Sequence, residues 1–293
     1  MGHDHGQQNR ENSRRVLAAL CLTGVFMVVE VAGGIISGSL ALLADAGHML
    51  TDTMALGLSA YAFRVATKPA DASRSYGYLR AQIIAAFVNG LSLLVIVGWI
   101  LFEAVMRLIE PPDVIGSTML VVASIGLMVN VVSFLILHGG DQDNLNVRGA
   151  ALHVLGDLLG SVAAIVAAVV IIRTGWMPID PILSMLVAML ILRSAWRLVK
   201  RSAHILLEGA PEWFDVDDMR EKIMKFVPEV IEIHHVHVWG LTPQHPMLTM
   251  HVVLANLIAD TTPIVRRVKE VLSREFAVDH STIEIEFGDC ADH

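Results

Sequence analysis

Long apolar runs dominate the first two-thirds of the chain, and short alternating runs replace them in the last third. Three stretches, 81–102, 114–137 and 158–172, carry no charged residue. A helix needs about 20 mainly apolar residues to cross the hydrocarbon core of a bilayer. Three more segments are apolar but interrupted: 16–36 by Glu30, 39–65 by Asp45, His48 and Asp52, and 176–195. The pattern predicts six spanning helices, near 16–36, 39–65, 81–109, 114–137, 147–173 and 176–199. The predicted organisation is a polar N-terminal tail over 1–15, a six-helix membrane region over 16–208 and a soluble tail over 209–293.

The tail has a different rhythm. Gly209-Ala210-Pro211 breaks the last membrane helix, and Asp215 is placed to cap a helix over 216–227. Residues 230–240 and 247–255 alternate as strands do. Thr262 and Pro263 open a second helix to about 275, and 281–287 alternates again. The expected tail is a small α+β domain in the order α-β-β-α-β.

Composition agrees with a membrane protein. Hydrophobic residues make up 54% of the 293 and charged ones 17%, against about 25% in a typical soluble domain. The two cysteines, Cys21 and Cys290, have no paired pattern. Charge is uneven: residues 1–208 balance 14 Lys and Arg against 14 Asp and Glu, whereas 209–293 hold 7 against 15. No basic face is offered to a nucleic acid, and the acidic tail suits cations. Residues 1–15 are polar and do not read as a signal peptide. The predicted flanks place Arg10, Arg14, Arg15, Arg64, Lys68, Arg74, Arg80, Arg148, Arg193, Arg197, Lys200 and Arg201 on one side of the membrane, and only Arg107 and Arg173 on the other. Basic flanks stay inside, so both termini are expected in the cytoplasm.

Two of the predicted spans carry the same polar motif. The second holds His48 and Asp52, the fifth His153 and Asp157, each as H-x-x-x-D. Residues four apart share a helix face. An ionisable group at bilayer depth costs roughly 2.5–3.5 kcal/mol on insertion scales, so four of them need a compensating partner. A divalent cation is one: two carboxylates cancel its charge and two neutral imidazoles complete a tetrahedral N2O2 set suited to Zn2+. Imidazole disfavours Mg2+ and Ca2+, while Cd2+, Co2+ and Ni2+ remain open. A proton relay without metal is the other reading of the quartet. Asp45 lies on the His48 face and is a candidate for the entry path. Glu30 and Asn130 read as contacts between helices.

The runs LLADAGHMLTD at 42–52 and AALHVLGDLLGS at 150–161, with LLEGAP at 206–211, resemble the zinc-transporting branch of the cation diffusion facilitator family over about residues 16–290. The resemblance implies a homodimeric, proton-coupled antiporter in the cytoplasmic (inner) membrane, with His48, Asp52, His153 and Asp157 as its transport site. It further implies an interlock between Arg80 and Glu208 at the hinge of the dimer. Strand alternation puts His237, His251 and Glu286 on one surface of the tail, and the resemblance implies a cytoplasmic zinc site there, supplemented by His235. Cys290, Asp289 and His293 could add ligands.

Two departures from the family stand out. The loop after the fourth helix carries a single His, His138, so no metal-collecting loop is expected. In the loop after the second helix Asp71 is kept, but Arg74 and Tyr78 occupy the positions where some members have metal-binding histidines. The remaining candidate collector is His3-Asp-His5. The expected activity is zinc export by alternating access, not enzyme catalysis: no H-E-x-x-H motif or activated nucleophile is present. The rivals are export of cadmium, cobalt or nickel, and a membrane metal sensor acting through the tail.

Overall fold

The computed structural model describes residues 4–138, 145–288 and 290; the side chains of 4–16, 20, 59, 138, 145–153, 155 and 156 lie outside that description. The His153 side chain, the side chains of His3 and His5, and Asp289 and His293 therefore fall outside it. Six long helices come first: α1 (Asp4–Ser37), α2 (Leu40–Ala66), α3 (Ala81–Ile109), α4 (Gly116–His138), α5 (Leu145–Thr174) and α6 (Ile179–Leu206). Among the described residues, stretches of five of them are long and apolar enough to cross a membrane, and the sixth, α2, is the helix interrupted by Asp45, His48 and Asp52.

The chain divides into two compact units, one of residues 1–58 with 88–197, the other of 59–87 with 198–293. In the first, α1, α4 and α5 pack through Phe26, Met119, Val122, Ala123, Ala164, Ala167, Ala168 and Ile171. Small residues set the spacing, as expected where lipid removes the hydrophobic drive between helices. A Cβ on Gly33 would stand 2.6 Å from Val122, and one on Gly126 2.8 Å from Phe26. These pairs run antiparallel, residue 33 against 122 and 26 against 126. Helices α4 and α5 are antiparallel too, with Gly116 against Ile172 and Asn130 Nδ2 donating to Ser161 Oγ at 3.2 Å. A second cluster joins α2, α3 and α6 through Ala44, Leu93, Val97, Ile100, Ala188, Ile191 and Ala195.

The corner between α1 and α2 is held from outside its own sequence. Gly38 takes φ 72, a value open to glycine without strain. Asp180, fully buried at the start of α6, accepts from Ser39 Oγ at 2.7 Å, from the Leu40 N–H at 2.7 Å and from the Ala41 N–H at 3.2 Å. It thus caps the N-terminus of α2, where free amides and the helix dipole favour a carboxylate. Arg107 donates to the Gly38 carbonyl from α3.

In the second unit the tail folds as α7 (Val216–Phe226), β1 (Val230–Thr242), β2 (His245–Leu254), α8 (Thr262–Phe276) and β3 (His280–Glu286), the expected order. Asp215 caps α7 through the amides of Asp217 and Asp218. The sheet order is β1-β2-β3, with β1 antiparallel and β3 parallel to β2. The parallel pairing requires a crossover, and α8 supplies it. Both helices contribute to one core with the sheet, through Met219, Ile223, Val268, Leu272, Leu248, Met250 and Val252 among others. The sixth membrane helix runs on to Leu206, beyond the expected end near 199, because no breaker precedes Gly209.

Asp180→Ala leaves the buried Leu40 amide, the partly buried Ala41 amide and the Ser39 hydroxyl without their acceptor. The expected cost is about 2–4 kcal/mol, measured as a lower thermal midpoint of the detergent-solubilised protein.

Candidate metal sites

Helix α2 presents Asp45, His48 and Asp52 at spacings of three and four, which align on one face. His48 Nδ1 lies 3.4 Å from Asp52 Oδ2. Asp45 is buried, and so is Asp157 on α5. The two helices meet at Asp45: a Cβ on Gly160, three residues beyond Asp157, would stand 2.9 Å from Asp45 Oδ1. Glu30 of α1, also fully buried, shares a hydrogen bond with the Asp45 carboxyl and feels the charge of Asp157.

The tail holds the second cluster. One donor atom from each of His234, His235, His251 and Cys290 lies within 4.8 Å of the others. Cys290 Sγ is 3.6 Å from Nδ1 of both His235 and His251. A tetrahedral zinc with ordinary bond lengths holds its donors roughly 3.3–3.8 Å apart, so these atoms need little movement to take one. Glu286 closes the cluster from below: its carboxylate lies 2.8 Å from His251 Nδ1 and 3.1 Å from His234 Nε2. Burial pushes this carboxyl up, but hydrogen bonds from Cys290 and His251 and the charge of His234 and His251 outweigh it, and it sits below its ordinary value. It is an acceptor ready for a cation.

The strands bring together His251, Glu286 and His235 of the expected set, but not His237. Its place is taken by His234, which simple alternation puts on the core face. The cause is a bulge. The β1–β2 register shifts between His234 and His237, and His235 takes φ 46, the left-handed region that few residues other than glycine adopt. That break lets consecutive histidines reach one site and restores Val236 and Val238 to the core. His237 instead lines a cavity of about 770 Å³ with Arg80, Glu208, Trp239 and Thr249. The adjacent histidines at 234 and 235 were the one available signal, since two neighbours on a regular strand cannot share a face.

Residues 16–207 match the cation efflux transmembrane domain, and residues 211–287 match the cytoplasmic domain of cation efflux proteins. The chain belongs to the cation efflux, or cation diffusion facilitator, family. It is 49% identical to the zinc transporter ZitB of Pectobacterium atrosepticum over 295 residues, covering 100% of this chain and 91% of the relative. It is 40% identical to the metal cation efflux system protein CzcD of Cupriavidus metallidurans over 289 residues, covering 99% and 91%. It is 39% identical to the cadmium, cobalt and zinc/H(+)-K(+) antiporter of Bacillus velezensis over 290 residues, covering 98% and 92%. It is accordingly a multi-pass membrane protein of a metal-cation transporter family.

The loop between α2 and α3 is closed by its own side chains. Asp71 accepts from the Ser73 amide and hydroxyl, the Arg74 amide and, at 2.6 Å, the Tyr78 hydroxyl. The Arg74 guanidinium lies over the Tyr78 ring, 4.8 Å from its centroid. The carboxylate thus has an organic cation and four donors nearby. Arg80 Nη2 and Glu208 Oε1 are 3.2 Å apart, an ion pair exposed enough to contribute little to stability by itself.

The hydroxyls of Tyr78 and Ser73, foremost, hold the Asp71 carboxyl well below the usual carboxylate range. A depressed carboxyl adds stability that is present above the unfolded pKa and fades as pH falls. The 71–78 turn should therefore keep its hydrogen-exchange protection from neutral pH down to about 4 and begin to lose it below. Asp71→Asn should weaken that protection already at pH 7.

Proposed function

We propose that this chain is a proton-coupled antiporter that exports zinc from the cytoplasm by alternating access of one intramembrane site made of His48, Asp52, His153 and Asp157. The observation that carries the reading is the close approach of the two motif-bearing helices, α2 and α5, at Asp45 and Gly160, with Asp157 buried one turn away. Four donors of this kind satisfy a tetrahedral cation and cancel its charge. Metal binding requires neutral imidazole and ionised carboxylate, so ion and protons compete for the same atoms. Histidine titrates near working pH, which makes that competition reversible in a cell.

In the cycle, the ion enters from the cytoplasmic side, displaces protons and leaves outside as protons return. The basic flanks support a cytoplasmic location of both termini, and the proposed membrane is the bacterial inner membrane. A homodimer is the working unit, with the matched cytoplasmic domain as the pairing element. The relatives named as zinc transporter and as cadmium, cobalt and zinc antiporter support zinc first, with cadmium and cobalt next; nickel is chemically admissible at the same donors. Metal held in the tail by His234, His235, His251, Glu286 and Cys290 would bias the dimer towards one arrangement.

Zinc flux into vesicles under an imposed pH gradient tests the reading. Asp157→Ala or His48→Ala should lower flux by more than the roughly 10- to 100-fold typical of losing an outer partner of a metal ligand. Parental flux in either variant removes the site, and zinc binding without flux in the parent protein favours the sensor. In the tail, His234→Ala should lower the number of zinc ions bound by the purified full-length protein, and His237→Ala should leave it unchanged.

A further inference from the structure

The cavity beside His237 belongs to neither metal site. It measures about 770 Å³ and lies within the unit that holds both the 71–80 segment and the tail. Its lining carries two guanidiniums, Arg74 and Arg80, and one carboxylate, Glu208, so with His237 neutral it has one net positive charge. Arg80 Nη2 donates to Glu208 Oε1 at 3.2 Å, whereas Arg80 Nε is buried with no hydrogen-bond partner among the described residues. A buried donor left without an acceptor costs free energy, and an entering acceptor removes that cost. Nε and Nη2 form one edge of the planar guanidinium, an edge that matches two oxygens of a phosphate. The hydroxyls of Ser75 and Thr249 line the same cavity and can donate to such oxygens.

Position in the chain indicates what carries the phosphate. Arg80 directly precedes α3, and Glu208 stands two residues past the end of α6; both helices are of spanning length. Near these helix ends, apolar and amphipathic side chains are bare: Leu207 is 82% exposed and Tyr76 50%. Such side chains suit the boundary between headgroups and acyl chains, and basic pockets at the cytoplasmic ends of spanning helices suit lipid headgroups. One net positive charge matches a phosphodiester, which carries one negative charge, better than a terminal phosphate, which carries about 1.5 to 2. We propose that this cavity binds the headgroup of an anionic glycerophospholipid of the cytoplasmic leaflet, whose phosphodiester takes the Nε–Nη2 edge of Arg80 and displaces Glu208 from it. Metal choice and proton coupling play no part in this binding, which needs only the cytoplasmic side of the 71–80 segment.

The experiment is native mass spectrometry of the purified full-length protein, delipidated in detergent and titrated with short-chain phosphatidylglycerol, phosphatidylcholine or glycerol phosphate. The parent should bind phosphatidylglycerol severalfold more tightly than phosphatidylcholine, and glycerol phosphate most weakly. Arg80→Gln should weaken phosphatidylglycerol about tenfold, the scale of one lost charge-assisted contact. Glu208→Gln should tighten it, because the competing carboxylate is gone. An ion pair with a structural role alone would move both variants in the same direction. That outcome overturns the proposal, and so does equal binding of the two lipids by the parent. Glycerol phosphate bound as tightly as phosphatidylglycerol overturns the lipid as the source of the phosphate. Lipid adducts confined to monomers overturn it in favour of a second copy of the chain covering the cavity. If Arg80→Gln does not fold, Arg80→Lys, which keeps the charge and gives up the planar fork, should still lose affinity severalfold.

Discussion

A carboxylate inside an apolar helix bundle must have a proton, a cation or a set of donors. Asp180 has donors: the Ser39 hydroxyl and the first amides of α2 surround it. Asp45 and Asp157 are buried as well, and the proposed transport site would give Asp157 a divalent cation. The cost of unscreened charge at bilayer depth is what ties these residues to the proposed transport cycle, since each state of that site needs a different counter-charge.

That constraint shapes the packing. Helices α1, α4 and α5 approach closely at Gly33, Gly116 and Gly126, and α2 meets α5 at another glycine, Gly160. A side chain at 160 would push Asp45 away. The Asp180 cap fixes where α2 begins, and so fixes the height of His48 and Asp52 along it. A helix start set by a partner helix is a firmer reference than a flexible loop, because the cap and the buried corner lose their bonds together.

Much of this was legible in the sequence, because spanning helices and paired motifs are signals of composition and spacing. The six helices and the α-β-β-α-β tail follow from hydrophobic period and punctuation. The tail cluster was legible only in part. His251 and Glu286 obey strand alternation, whereas His234 and His237 exchange roles at a bulge whose cause, a left-handed His235, is a tertiary outcome that no local propensity reveals. The Asp180 cap was also hidden, since its donors lie about 140 residues away in sequence and a lone acid before an apolar run reads as an ordinary helix start.

The two candidate sites differ in a way their ligands explain. The membrane motifs pair hard carboxylates with imidazole on rigid helices, a combination whose protonated form is stable, so that metal and protons can exchange. The tail set adds a thiol and a third imidazole on strands and a terminal segment. Thiolate is softer and holds Zn2+ or Cd2+ more tightly than Co2+ or Mg2+, and it gives up its metal to protons less readily than a carboxylate does. A transport site must release its ion every cycle. A site that reports the cytoplasmic metal level must stay filled while the level is high. The carboxylate-bearing set suits the first task and the thiol-bearing set the second, so the proposed transport and sensing roles each fall on the ligand types that fit them.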